Sequence, residues 1–146
     1  MIASLHRCRV LLIVLACAST PGPAQTIPFE IRTHPDSPIT FVNDKSSPWR
    51  SGVDRRIFVN IQNKSDKPVI AVTFEQTIST KAKTEIVSLE RISIIISPRE
   101  KKRLSVSVSE VLNRFKAAGD SDDKPGNPVL SVVAVEFLDG TLWDAP

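Results

Sequence analysis

The chain has 146 residues, with 19 Lys and Arg against 16 Asp and Glu, and its formal net charge is +3. It contains two cysteines and two histidines, and both cysteines and one histidine lie within residues 1–24. If that segment is removed, no thiol remains and His34 is the single imidazole. Such a chain excludes cysteine chemistry, disulfides and most zinc sites.

Residues 1–24 are typical of a cleavable export signal. Arg7 and Arg9 precede an unbroken apolar run over residues 10–16, and small residues follow it, as in a secretory leader. The run is too short to cross about 30 Å of hydrocarbon as a helix. Residues 14–17 (Val-Leu-Ala-Cys) also resemble the lipobox of bacterial lipoproteins, which would lipidate Cys17. We therefore expect export to the periplasm or cell surface, with a lipid anchor at Cys17 as the alternative.

Residues 25–146 are expected to form one domain. Removing Arg7 and Arg9 with the leader leaves 17 basic residues against 16 acidic ones, a net charge of +1. A nucleic-acid partner is not expected, because binding would need a concentrated basic face. A chain of about 120 residues is large enough to bury its own core without disulfides.

Alternation of apolar and polar residues with a period of two dominates this domain. It is clearest where Leu104, Val106 and Val108 alternate with serines, which predicts a half-buried strand. Further strands are predicted over residues 28–32, 39–43, 57–61, 70–75 and 92–97, with Ile70, Val72 and Phe74 on one face. The first two contain or adjoin prolines, which favours edge positions. Seven to eight strands separated by turns predict an all-β fold, an immunoglobulin-like β-sandwich.

The last strand pair is expected to be a hairpin. Residues 139–140 (Asp-Gly) favour a two-residue turn, and that register pairs Glu136 with Trp143. Both faces of the preceding strand are apolar, so it is predicted to be central. One of these faces, called here the Trp143 face, consists of Leu130, Val132, Ala134, Leu138 and Trp143.

One short helix is predicted between the strands. Ser109 is a suitable N-cap, Val111, Leu112 and Phe115 share one helical face, and Gly119 is a natural stop. We expect this helix to cover the Trp143 face. A bare face would instead be an exposed apolar patch, and therefore a binding surface.

No catalytic or metal site is predicted. Asp120, Asp122 and Asp123 do not match a calcium loop, because Lys124 takes a ligand position and Gly126 comes one place late. They are interpreted as a solvated acidic loop. We therefore expect no metal and no cofactor.

His34 is interpreted as an exposed loop residue. It lies two positions before Asp36, a pairing that could serve acid–base chemistry. No nucleophile or oxyanion signature accompanies the pair. An enzymatic activity is therefore not expected.

Two segments are candidates for surface contacts. Residues 99–103 (Arg-Glu-Lys-Lys-Arg) are the densest basic stretch, and no aromatic residue interleaves them. They are interpreted as a charged turn between strands, with contact to an anionic lipid headgroup or polysaccharide as the alternative. Trp49, beside Arg50 in a loop-like stretch, either caps one end of the sandwich or binds a sugar or a protein partner.

Residues 59–72 form a strand, an Asn-x-Ser turn and a second strand, and residues 96–98 and 137–143 add Ile-Ser-Pro and Phe-Leu-Asp-Gly-Thr-Leu-Trp. Together they resemble FxLYD-like and other immunoglobulin-like extracytoplasmic domains, although the chain lacks the tyrosine of that motif. The resemblance implies a β-sandwich of the cell envelope and assigns no functional residue.

The function expected from these observations is non-enzymatic binding of an envelope protein through a sheet edge or the Trp143 face. The contact candidates are Trp49, Arg50, Leu138 and Trp143. One version is a protease inhibitor that presents residues 99–103 or 44–52. The alternative is a polysaccharide-binding module, using Trp49 with Arg50, Arg55 or Arg56. Membrane contact is expected only through the lipid at Cys17.

Overall fold

The computed structural model of the chain describes residues 26–27, 29–42, 49–50, 55–118 and 125–146. The predicted leader, Cys17, Gly119 and the acidic loop at 120–123 lie outside these ranges. The described elements are β1 (Thr26–Ile27), β2 (Glu30–Arg32), β3 (Ile39–Phe41), β4 (Trp49–Arg50), β5 (Arg56–Asn63), β6 (Val69–Ser79), β7 (Thr84–Ile96), β8 (Lys101–Ser107), α1 (Ser109–Ala118), β9 (Val129–Phe137) and β10 (Leu142–Asp144).

Eight of the described strands form the two sheets of a β-sandwich. The five-stranded sheet has the order β10-β9-β6-β7, and β2 runs parallel to β9 on the side that β10 also occupies. The three-stranded sheet has the order β3-β5-β8, and a separate two-stranded ladder joins β1 to β4. The predicted all-β sandwich of seven to eight strands with one short helix is confirmed. The internal position of β9 and the edge positions of β2 and β3 are confirmed as well.

The core lies between the two sheets and follows the predicted alternation in β5 and β8. Ile57, Val59 and Ile61 point inward from β5, and Leu104 and Val106 point inward from β8. The predicted helix is confirmed as α1, which contacts β7 and adds two buried residues of its own to the core cluster. No helix in the described ranges is long and apolar enough to span a membrane.

A bulge near the start of β6 changes which residues face the core. The pairing of β6 skips one residue between Val69 and Ala71. Val69 therefore joins Val72 in the core, fully buried, while Ile70 is only half-buried. The prediction that Ile70 shares the inward face of Val72 is wrong for this reason.

A second bulge, at Val133, divides the Trp143 face. Val133 is an extra residue of β9 relative to β6, so the alternation shifts by one position there. Leu130 and Val132 face the core together with Val135, whereas Leu138 is 66% exposed. The predicted continuous apolar face is therefore wrong, because its first two residues belong to the core.

The β9–β10 hairpin has a three-residue loop instead of the predicted two-residue turn. Leu142 pairs with Glu136 and Trp143 pairs with Val135. Gly140 has a φ of 82°, as expected for a type I turn that is closed by a left-handed residue. Because a one-residue change of register moves every side chain to the other face, Trp143 turns toward the core and packs against it.

Candidate interaction surfaces

Trp49 and Arg50, predicted in a loop-like stretch, form β4 instead. Their backbones pair with β1, so that Ile27 lies opposite Trp49 and Thr26 opposite Arg50. The side chains of both residues lie outside the described part of the structure. Whether Trp49 caps the sandwich or binds a ligand therefore stays a prediction.

His34 and Trp143 meet at one edge of the five-stranded sheet. β2 and β10 lie end to end along the same side of β9, which brings His34, two residues beyond the end of β2, beside the middle of β10. The two ring centroids are 6.2 Å apart, with an edge-to-face angle of 61°. His34 lies in a loop, as predicted, but both residues are half-buried, so the prediction that it is exposed is wrong. In the described ranges, no group of three His, Cys, Asp or Glu residues is placed to hold a metal ion.

Exposed apolar residues concentrate on one sheet. Among the described residues, six large apolar side chains are more than half exposed, and five of them belong to the five-stranded sheet or its β9–β10 loop. These five are Ile86, Leu89, Ile95, Leu138 and Leu142. The sixth, Phe58, belongs to the other sheet. Three of the five lie on β7, so this strand is the main apolar feature of the surface.

The first half of β7 has the reverse of the usual polarity. Ile86 and Leu89 point outward, whereas Glu85, Ser88 and Glu90 lie opposite buried residues of β6 and point inward. We call the exposed row Ile86, Leu89 and Ile95 the β7 row. Carboxylates on the inner side of a sheet must be hydrogen-bonded or paired, and both are.

Glu90 ties β7 to the opposite sheet. Its Oε2 accepts the backbone N–H of Ser107 in β8 at 2.6 Å, and its Oε1 lies 3.2 Å from Arg56 of β5. Arg56 also donates to the carbonyl of Ser105 at 2.7 Å. Beside this cluster, the buried Gln76 donates to the Ser107 carbonyl at 2.6 Å, while its Oε1 has no hydrogen-bond partner among the described residues. These polar contacts hold the two sheets together along their β7 and β8 edges.

Glu85 is paired in the same manner near the start of β7. One carboxylate oxygen lies 2.7 Å from Lys83 Nζ, and the other lies 3.2 Å from Arg114 of α1. The hydrogen bond from Lys83, supported by the charge of Arg114, holds the pKa of Glu85 below its ordinary value. The inner side of β7 is therefore closed by ion pairs to the helix and to β5.

None of the described strands pairs with the outer edge of β7. β7 is 13 residues long and pairs only with β6 among the described strands. The opposite side of the sheet is covered in two pieces by β2 and β10, each of three residues. A long edge with unpaired backbone groups is a template for a strand from a second chain.

The outer face of the three-stranded sheet is basic. The guanidinium carbon of Arg103 lies 4.5 Å from the centroid of the Phe58 ring, and Asn60 pairs with Arg103 across the two strands. A depression of about 180 Å³ lies beside them, lined by Val42, Asn60, Lys101, Lys102 and Arg103. We call Phe58, Asn60, Lys101 and Arg103 the basic face.

The turn before β8 orders the start of this basic strand. Glu100 accepts a hydrogen bond from Lys102 Nζ at 2.9 Å and another from the Ser97 backbone N–H at 2.8 Å. These two contacts, the one from Lys102 first, hold the pKa of Glu100 below its ordinary value. The segment 99–103 was predicted to be a charged turn. Only its first two residues belong to the turn, because β8 begins at Lys101.

Arg55 and Arg56, expected to assist a sugar site, are engaged within the fold. Arg55 Nη1 lies 3.5 Å from the side-chain oxygen of Asn113 in α1, and Arg56 joins the contacts of Glu90. Phe58 was missed as a contact residue, although it alternates with inward residues of β5 and must therefore face outward. Ile86 and Leu89 were missed because outward apolar residues beside inward carboxylates contradict the usual pattern.

Comparison with known proteins finds no match among protein families, curated proteins or solved structures.

Proposed function

We propose that the protein is a non-enzymatic interaction module of the cell envelope that binds a protein partner along β7. The observation that carries this proposal is the coincidence of a 13-residue edge, with which no described strand pairs, and the exposed side chains of the β7 row. The occupant is an extended segment of the partner that adds to the sheet as one further strand. Backbone hydrogen bonds provide affinity in this mode, and alternate side chains provide selectivity.

The ion pairs inside β7 support strand addition. Inward-pointing charges on an edge strand ordinarily oppose pairing, because an added strand would bury them. Here Glu85 and Glu90 already have cationic partners within the chain. A strand that covers the edge therefore leaves no uncompensated carboxylate.

The envelope location rests on the leader-like residues 1–24, and the resemblance to FxLYD-like envelope domains agrees with it. Among the residues predicted to bind, Trp143 packs against the core, and we assign it to stability. Leu138 is exposed on the β9–β10 loop, with Leu142 nearby on β10. These two leucines belong to the same sheet without belonging to β7, so they supply a matched control.

The test compares two double variants of the full chain. Wild-type protein, Ile86→Ser with Leu89→Ser, and Leu138→Ser with Leu142→Ser are immobilised and exposed to an envelope extract of the source organism. We expect one dominant protein, identified by mass spectrometry, to be captured by the wild type and the Leu138/Leu142 variant and to be lost with the Ile86/Leu89 variant. Equal capture by all three proteins would exclude β7 as the site.

Hydrogen exchange with the identified partner tests the binding mode. Strand addition predicts that binding slows exchange of alternate backbone amides in β7, those that point away from β6. If binding slows exchange in the β9–β10 loop and leaves β7 unchanged, the proposal is refuted and the partner binds at the loop that contains Leu138.

A further inference from the structure

We infer that the basic face is a separate binding site for an anionic polysaccharide. This goes beyond the proposed function, because the basic face lies on the three-stranded sheet and shares no residue with the β7 row. The outward positions of β5 and β8 hold no carboxylate, and neither Lys101 nor Arg103 makes an ion pair with any described residue.

Arg103 is preorganised by its contact with Phe58. The guanidinium lies over the ring at 4.5 Å from the centroid, within the range of a cation–π interaction. The ring restrains the long side chain, while the N–H groups at the guanidinium edge stay available to an oxyanion. A planar guanidinium binds a carboxylate, sulfate or phosphate through two parallel hydrogen bonds.

Lys101 and Asn60 extend the site on either side of Arg103. Lys101 and Arg103 are two residues apart on one strand, so their Cα atoms are about 7 Å apart on the same face. Asn60 lies directly across from Arg103 and presents an amide beside the depression of about 180 Å³. Two cations at this spacing, with an amide donor between strands, match a chain that carries an oxyanion on successive sugar units.

The same features argue against a membrane surface. Binding to a bilayer combines basic residues with apolar side chains that enter the hydrocarbon boundary. Phe58 is the only large apolar side chain exposed on the described part of this sheet, at 55%, and the guanidinium of Arg103 lies over its ring. Bases of single-stranded nucleic acid stack on open aromatic rings, and the guanidinium of Arg103 already lies over this one.

The test measures binding of the full chain to dextran sulfate by calorimetry, with uncharged dextran as the control polymer. We expect binding to dextran sulfate that weakens as salt is raised, and none to dextran. Lys101→Ser with Arg103→Ser should weaken binding by roughly tenfold or more, since two charge-assisted contacts are lost. Polygalacturonate, measured in parallel, shows whether carboxylates serve as well as sulfates.

A second double variant separates a site from net charge alone. Lys81→Ser with Lys116→Ser also removes two positive charges, but from exposed positions outside the basic face. We expect this variant to bind dextran sulfate within about twofold of wild type, because distant exposed charges are screened. Equal weakening by both double variants, or no binding of dextran sulfate by wild type, would overturn the inference.

Two further measurements complete the test. Phe58→Leu keeps an apolar side chain and removes the ring, so we expect severalfold weaker binding with an unchanged melting temperature; unchanged affinity would remove Phe58 from the site. If vesicles of anionic phosphatidylglycerol bind the protein more tightly than dextran sulfate does, the ligand of the basic face is a membrane surface and the polysaccharide proposal is overturned. The Ile86→Ser, Leu89→Ser variant should retain full dextran sulfate affinity, which keeps this result independent of the β7 proposal.

Discussion

The strands β7 and β8 are joined by a tight turn and contrast in polarity. β8 buries Leu104 and Val106 and presents Lys101 and Arg103 outward. β7 does the opposite over its first half, where carboxylates point inward and large aliphatic residues point outward. Of these two edge strands, β8 is therefore held to the core by apolar packing, whereas the first half of β7 is held by polar contacts.

The difference follows from what lies opposite each strand. The inward residues of β8 meet the buried cluster, where apolar contact is favourable. The inward carboxylates of β7 contact Arg56, Arg114 and the backbone N–H of Ser107 in β8. Since these groups satisfy the inner side over the first half of β7, Ile86 and Leu89 point outward and stay exposed. Further along the strand, Ile92, Ile94 and Ile96 pack in or against the core.

The contrast is tested most strongly by truncating one leucine on each strand. Leu104 is 4% exposed, so Leu104→Ala should lower the free energy of unfolding by about 3 kcal/mol through lost burial and a cavity. Leu89 is 60% exposed, so Leu89→Ala should change it by less than about 0.5 kcal/mol. Urea denaturation of the two variants measures both values. A loss at Leu89 comparable to that at Leu104 would make Leu89 a core residue and remove it from the β7 row.

The sequence predicted β5 and β8 well because their alternation is regular and their inward residues are apolar. Ile57, Val59 and Ile61 alone determine the orientation of the whole strand, and with it the outward position of Phe58. The fold class, the central position of β9 and the helix after Ser109 followed from equally local signals. These parts of the structure required no knowledge of tertiary contacts.

The first half of β7 could not be predicted in this manner. The expected strand covered only residues 92–97, while the observed strand begins at Thr84. Glu85 and Glu90 point inward because of Arg114 and Arg56, which are distant in sequence. A pattern within one segment does not contain that information, and the β7 row was therefore missed.

Single inserted residues explain the remaining errors. The bulge at Val133 and the three-residue loop ending in Gly140 each shift a register by one position. Each shift reverses which face a side chain occupies. The Trp143 face was predicted from unbroken alternation, so one bulge was sufficient to divide it.

The polar side of β7 is tested by removing Glu90. Glu90→Ala leaves the Ser107 N–H and Arg56 without this partner, and we expect a loss of about 2 kcal/mol in the free energy of unfolding. Glu75→Ala is the matched control, because Glu75 lies on the outward side of β6 and surface substitutions usually change stability by less than about 0.5 kcal/mol. Equal effects in the two variants would mean that the inward carboxylate does not hold β7 to β8.

The smallest expected effect lies in the turn that joins the two strands. Contacts with Lys102 and the Ser97 N–H lower the pKa of Glu100 in the folded protein. A carboxyl with a lower pKa when folded stabilises the protein above its unfolded pKa of about 4.3, and this stabilisation is lost as the pH falls through the folded pKa. Glu100→Gln should therefore be less stable than wild type at neutral pH, and the difference should shrink in acid.

Urea denaturation at pH 7 and at about pH 3 measures that difference. Glu110→Gln, an exposed substitution in the first turn of α1, controls for the loss of one carboxylate from the surface. A difference between wild type and Glu100→Gln that stays constant from neutral to acid pH would show that the ionised carboxylate of Glu100 does not stabilise the turn.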